Sequence, residues 1–282
     1  MSLLHSPGIT ESRFVDIDGL NLHYLTAGPE DGEPVILVHG WPTSSFLWRN
    51  VMPSIAEHRR VVALDLPAFG RSSKPTDVSY SLRFYERVLG GFAEHLGADR
   101  VGLVVHDLGG PIGLYWAAHN SERIERLALL NTLVYTEMSW AVIAFVTACR
   151  LPGVRSYLTS PSGLRGAMRL GVHNRDRLDK GVIAAYQEPF KGKAARRALA
   201  KAGFGVHPNG LKEIVAWLPT VDVPVCLTYG ARDRILPDVA ETMARVKKDV
   251  PHAELHELPD CGHFLQEDRP DEIGKILGDF FA

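Results

Sequence analysis

Asp107 stands where an apolar run, 101–105, meets Leu108-Gly109-Gly110. Two small residues there permit a sharp strand-to-helix turn, the setting that lifts a nucleophile beyond the C-terminal end of a strand. The usual form of that turn is G-x-S-x-G; here Val105 holds the first place and Asp107 the centre. A carboxylate at that point is ionised at neutral pH, favoured by the following helix N-terminus. It is equipped to attack carbon without first losing a proton. It is equally equipped to cap the helix, and the turn by itself admits both readings.

Further candidates lie at other strand ends. His263 sits in Asp260-Cys261-Gly262-His263-Phe264, just past the final strand and ahead of the terminal helix, as a general base would. Asp233 lies in Gly230-Ala231-Arg232-Asp233-Arg234, past another apolar run. The order nucleophile, acid, histidine is that of a strand-end triad. Asp233 also admits a loop salt bridge with Arg232 or Arg234. Asn131 holds the alternative slot for the acid, after the preceding strand, and is not acidic. His39-Gly40-Trp41-Pro42 follows the run 35–38, where an oxyanion hole would form from the backbone N–H groups of Trp41 and Leu108.

Such a set requires a sheet whose strands end at one edge. Short continuous apolar runs at 35–38, 61–64, 101–105, 127–130 and 225–229 read as strands buried on both faces, and 253–258 as an alternating strand. Segments 13–17 and 21–27 flank Asp18-Gly19 and read as a hairpin. Helical spacing marks 82–96, 110–119, 238–250 and 270–281. From 133 to 217 the alternation stops, and helices at 140–150, 152–158, 162–170, 180–188, 193–202 and 210–217 read as an inserted cap. The expected domains are therefore a core of 1–132 with 218–282 and a cap of 133–217.

Composition bounds the remainder. The 282 residues are 45% hydrophobic and 23% charged, with a net charge of -2, an ordinary globular balance without a basic field for nucleic acid or an anionic membrane. The basic run 191–197 reads as a solvated helix face. Three cysteines in no paired spacing argue against a disulfide framework or zinc site; Cys226 reads as core, and Cys261 raises the question of a reactive thiol. The N-terminal fourteen residues have no signal-peptide pattern, and no apolar run nears the length of a membrane span. The expected location is cytoplasmic.

The stretches 39–53, 65–75, 104–120, 185–190, 229–237 and 259–270 resemble the α/β-hydrolase superfamily, in the branch of haloalkane dehalogenases and epoxide hydrolases. The resemblance spans nearly the whole chain. It implies an α/β-hydrolase fold: a mostly parallel eight-stranded sheet flanked by helices, with an inserted helical cap. It implies that Asp107 forms an alkyl ester with the substrate, that His263 activates the water that hydrolyses it, and that Asp233 orients the imidazole. No cofactor and no metal are required. The expected partners are a small apolar organic substrate and water, with no nucleic acid and no membrane, and a monomer or homodimer.

The leaving group separates the alternatives. Haloalkane dehalogenases hold halide with N–H donors, usually a Trp after the nucleophile; here Leu108 stands there, and the indole of Trp41 is a candidate donor if it points inward, and equally a packing residue. Epoxide hydrolases protonate the opening oxygen with two cap tyrosines, for which Tyr135, Tyr157 and Tyr186 are candidates. The flanking sequence favours halide release, with epoxide opening as the alternative. An inactive or receptor-like homologue is a third reading, against which the Asp107, His263 and Asp233 set stands.

Overall fold

The computed structural model describes residues 11–205 and 208–282. Most of the N-terminal segment on which the signal-peptide reading rests, residues 1–10, lies outside them.

Eight strands form one sheet: β1 (Glu11–Ile17), β2 (Leu20–Ala27), β3 (Pro34–Val38), β4 (Arg60–Leu64), β5 (Val101–Asp107), β6 (Ile124–Thr132), β7 (Val225–Gly230) and β8 (Glu254–Leu258). Their order is β1-β2-β4-β3-β5-β6-β7-β8. β1 and β2 form the expected hairpin, and Asp18 (φ 53) and Gly19 (φ 77) both take the left-handed backbone that a two-residue turn between twisted strands needs. β2 pairs antiparallel with β4, and all later pairings are parallel. β3, β5 and β7 are buried along their whole length, which accounts for their largely apolar sequences. β8 closes the edge and exposes most of its residues.

The helices, in chain order, are α1 (Met52–Ala56), α2 (Leu82–His95), α3 (Gly109–His119), α4 (Trp140–Arg150), α5 (Pro152–Leu158), α6 (Pro161–Gly171), α7 (Lys180–Gln187), α8 (Lys193–Gly205), α9 (Pro208–Trp217), α10 (Val239–Asp249), α11 (Leu265–Asp268) and α12 (Pro270–Phe281). Serine side chains cap α2, α4 and α6, and Pro161 opens α6, where a missing N–H costs nothing. Helices lie on both faces of the sheet, and two apolar cores fill the space beneath them. Six helices, α4 to α9, fall between β6 and β7. Of these, α9 packs on α3, flanking the sheet. One helix of the stretch expected as cap thus lies with the core.

The sequence pattern had not separated α1 and α11, which are only a turn or so long. β6 runs further at both ends than its apolar stretch, through Asn131 (φ 31) to Thr132. Among the described residues no single helix is long and apolar enough to cross a membrane; α4 and α5 together have the length but meet at 107°. Cys226 and Cys261 are both buried, and burial pushes each thiol up to about 12, which disfavours the thiolate a reactive Cys261 would need.

Candidate active site

Parallel strands deliver their C-terminal ends to one edge, and there the loops after β3, β5, β7 and β8 converge. Asp107 is the last residue of β5 and has φ 51, the left-handed strain of a nucleophile turn. Neighbours hold it there. The Thr132 hydroxyl donates to its carbonyl at 2.7 Å. A Cβ on Gly40 would come within 2.3 Å of Asp107 Oδ2, and one on Gly109 within 2.4 Å of the Val38 carbonyl. Those two glycines therefore let the loop after β3 close against the turn. Asp107 does not cap α3, whose first turn has no side-chain cap. Its Oδ2 instead accepts from the backbone N–H of Trp41 at 2.7 Å.

His263 is wholly buried. Its Nδ1 lies 2.8 Å from Asp233 Oδ2, and its Nε2 lies 3.4 Å from Asp107 Oδ1. The second distance is that of an ion pair without a formed hydrogen bond, which leaves Nε2 otherwise unpartnered and turned toward Asp107. Asp233 Oδ2 also accepts from Asn131 Nδ2 at 2.7 Å, and Oδ1 accepts from the N–H groups of Ile235 and Leu236 at 2.7 and 2.8 Å. None of these four bonds comes from Arg232 or Arg234.

The charges follow from this geometry. Burial pulls the His263 imidazole down, but Asp233 and Asp107 on either side outweigh it and raise it to about 10. Burial pushes the Asp107 carboxyl up, and the His263 imidazolium, His106 and the Leu108 N–H hold it below the usual carboxylate range. His106, pushed down to about 4 by burial and by His263, is neutral; its Nε2–H donates to the His263 carbonyl at 2.9 Å. The two flanking carboxylates thus favour the protonated imidazole.

Above Asp107 lies a cavity of about 430 Å³, within the range of small-molecule pockets. Trp41, Leu108, Phe145 and Leu236 help form its walls, together with small residues of α6. The only ionisable groups among its lining residues are Asp107, Tyr157 and Arg234. Trp140, Tyr157 and Leu170 line it yet are 76%, 61% and 47% exposed, which marks the mouth.

Several expectations need correction. The Trp41 ring lines the cavity, but its indole N–H donates to the Leu199 carbonyl on α8 at 3.3 Å, so it is committed to the cap. Leu108, by contrast, lines the cavity with an apolar side chain and turns its backbone N–H to Asp107. Tyr186 does not face the cavity: it is buried, with its ring against Phe46 and its hydroxyl donating to Glu267. Tyr135 donates to Asp249 Oδ2 at 2.7 Å beneath the Arg245 guanidinium. Of the three tyrosines only Tyr157 reaches the cavity, at its mouth. Asn131, set aside for lack of a charge, proves to bridge the acid loop, the histidine loop and β7: it donates to Asp233 and to the Gly262 carbonyl at 3.2 Å and accepts from Gly230 N–H at 2.9 Å. Its place at a strand end beside the others was the available signal.

Known proteins carry the same architecture. The alpha/beta hydrolase fold family matches residues 33–158. Haloalkane dehalogenase 2 of Mycobacterium tuberculosis is 31% identical over 279 residues, covering 96% of this chain and 95% of its own length. The crystal structure of a haloalkane dehalogenase from Agrobacterium tumefaciens superposes with a TM-score of 0.84 at 25% identity, covering 100% of this chain and 99% of that one. The epoxide hydrolase CorEH, solved without ligand, does so with a TM-score of 0.80 at 26% identity, covering 96% and 98%.

Proposed function

We propose, for a chain that belongs to the α/β-hydrolase family and is a hydrolase of the haloalkane dehalogenase and epoxide hydrolase type, that Asp107 is the nucleophile and that the leaving group is a halide on a small apolar molecule. The observation that carries this reading is a carboxylate at a strained turn, beneath an apolar cavity and 3.4 Å from a buried imidazole.

Oδ2 is held by the Trp41 N–H, so Oδ1 is the attacking atom. It forms a bond to an sp³ carbon, and the carbon–halogen pair leaves as halide. Esterification removes the Asp107 charge that helps raise His263, so burial regains weight and the imidazole gives up its proton. His263 Nε2 then takes a proton from water as the water oxygen adds to Asp107 Cγ. The backbone N–H groups of Trp41 and Leu108 stabilise the oxyanion on Oδ2. Collapse breaks the bond from Cγ to Oδ1, and the alcohol leaves with the proton from His263. The new carboxylic acid hands its proton to His263 Nε2, which restores both the carboxylate and the protonated imidazole; the one proton released to solvent is the one the imidazole gave up after esterification. Asp233 keeps Nδ1 protonated and oriented throughout.

The tyrosines favour halide over epoxide oxygen. A halide departs as a stable anion, whereas an opened epoxide needs a proton, and the hydroxyls of Tyr135 and Tyr186 are spent elsewhere. The domains that go with this reading are a core of 1–132 and 218–282 and a cap inserted at 133–217, whose last helix, α9, packs back on the core. The test is exposure to 1,2-dibromoethane and to styrene oxide. Bromide release by the native chain is expected, with intact mass spectrometry of His263→Gln showing an adduct on Asp107. Diol from styrene oxide without bromide would replace the leaving group; an unmodified His263→Gln mass with a substrate the native chain turns over would overturn the nucleophile.

A further inference from the structure

The loop that carries His263 is fastened on all sides. The Cys261 carbonyl accepts from Arg232 N–H at 2.8 Å, and the Gly262 and His263 carbonyls accept from Asn131 and His106. Two ties lead instead to the cap. Phe264 N–H donates to the Gly171 carbonyl at 3.1 Å. Asp268, 2% exposed at the end of α11, makes the other. Its Oδ2 accepts from Gly262 N–H at 2.8 Å and from His173 N–H at 2.9 Å, and its Oδ1 accepts from Asn174 N–H at 2.8 Å. One buried carboxylate therefore binds the residue before His263 and two consecutive residues just past α6.

The fit is close. A Cβ on Gly262 would meet the Gly171 carbonyl at 2.3 Å, and one on Gly171 would meet the Phe264 ring at 2.4 Å. Arg234 Nη2 adds a bond to the Val172 carbonyl at 3.0 Å, so residues 171–174 each contact the acid loop, the histidine loop or Asp268. The same helix supplies Gly163, Gly166 and Ala167 to the cavity wall. The neighbouring Glu267 holds a second cap element: it pairs with Arg49 at 2.6 Å and receives the Tyr186 hydroxyl of α7. Two successive carboxylates of α11 thus grip the cap at two places.

We propose that Asp268 is a positioning residue for ester hydrolysis, its carboxylate locking the wall of the substrate cavity to the loop that aims His263. This rests on the reading of Asp107 as nucleophile. Alkylation by Asp107 needs only the carboxylate and the cavity. Hydrolysis needs Nε2 aimed at a water, and that aim depends on the loop. Loss of the clamp therefore acts on the second step.

The test is Asp268→Asn, which keeps volume but replaces one acceptor oxygen with a donor that faces a backbone N–H. In rapid-quench turnover of 1,2-dibromoethane, ester hydrolysis is expected to slow by about 10- to 100-fold, the scale of a lost hydrogen bond to a charged group. The alkylation rate constant is expected to stay within about twofold, since that step uses none of the lost contacts. The ester then accumulates. Equal slowing of both steps, or a lowered melting temperature with both rates unchanged, overturns the proposal. Amide exchange in the native chain gives a reading that needs no variant to fold: Gly262, His173 and Asn174 should exchange slowly and as one class. Exchange at His173 and Asn174 far faster than at Gly262 overturns the clamp. If His263→Gln shows no ester, the nucleophile assignment fails, and the exchange pattern still decides whether the clamp exists.

Discussion

Asn131→Leu tests how the acid of the site is held. The substitution keeps the branched shape of a fully buried side chain, though with bulkier ends, and removes its three hydrogen bonds. Gly230 N–H is left buried without a partner, at about 1–3 kcal/mol, and Asp233 loses one charge-assisted bond, at about 1.5–3 kcal/mol. Position 131 has φ 31, which Asn tolerates and Leu resists by about 1–2 kcal/mol. Added apolar contact offsets part of this, which leaves a loss of about 4 kcal/mol, a large share of ordinary domain stability. Asp233 keeps its bonds to Ile235, Leu236 and His263, so the imidazole stays paired and turnover falls by only about tenfold. Urea unfolding followed by tryptophan fluorescence gives the first quantity and bromide release gives the second. A stability change below about 1.5 kcal/mol, the range of a volume-conserving apolar swap, would refute the reasoning, because Asn131 would then be mere packing.

Two other outcomes follow from the electrostatics and the cap contacts. His263 is raised from 6.5 to about 10, so its contribution to stability is complete below about pH 6.5 and is lost as pH climbs through about 10. The free energy of unfolding should fall across that window by no more than about 1.4 kcal/mol per pH unit, and His263→Gln should flatten the fall; an unchanged slope in the variant would exclude His263 as its source. Trp41→Phe removes the indole bond to Leu199 and should cost about 1 kcal/mol of stability with halide affinity unchanged, because that N–H serves the cap; weakened halide binding in a fluorescence titration would return it to the leaving group.

The sheet was legible because burial on both faces leaves its mark on the sequence: β3, β5 and β7 are rich in consecutive apolar residues. Asp18-Gly19 was legible because few residues tolerate two left-handed positions in succession. Asp107, His263 and Asp233 stood out because each ends or follows a strand, and the structure brings all three within ion-pair reach. What stayed hidden depended on side-chain direction. Trp41, Tyr135 and Tyr186 are each near the right place in the chain, and each spends its N–H or hydroxyl on Leu199, Asp249 or Glu267. Asn131 and Asp268 were hidden for another reason: their partners are mostly backbone groups, which leave no residue type to recognise.

The mouth of the cavity has a consequence for encounter. Trp140 and Tyr157 present large apolar faces to water, and Ile143, Leu151 and Val154 extend that surface along α4 and α5. A sparingly soluble molecule meets this sticky threshold over a far wider area than the opening itself. On the proposed reading, adsorption followed by sliding across it would turn a three-dimensional search into a two-dimensional one. The cost of that antenna is promiscuity: surfactants and other greasy solutes crowd the same doorstep without ever reaching the floor.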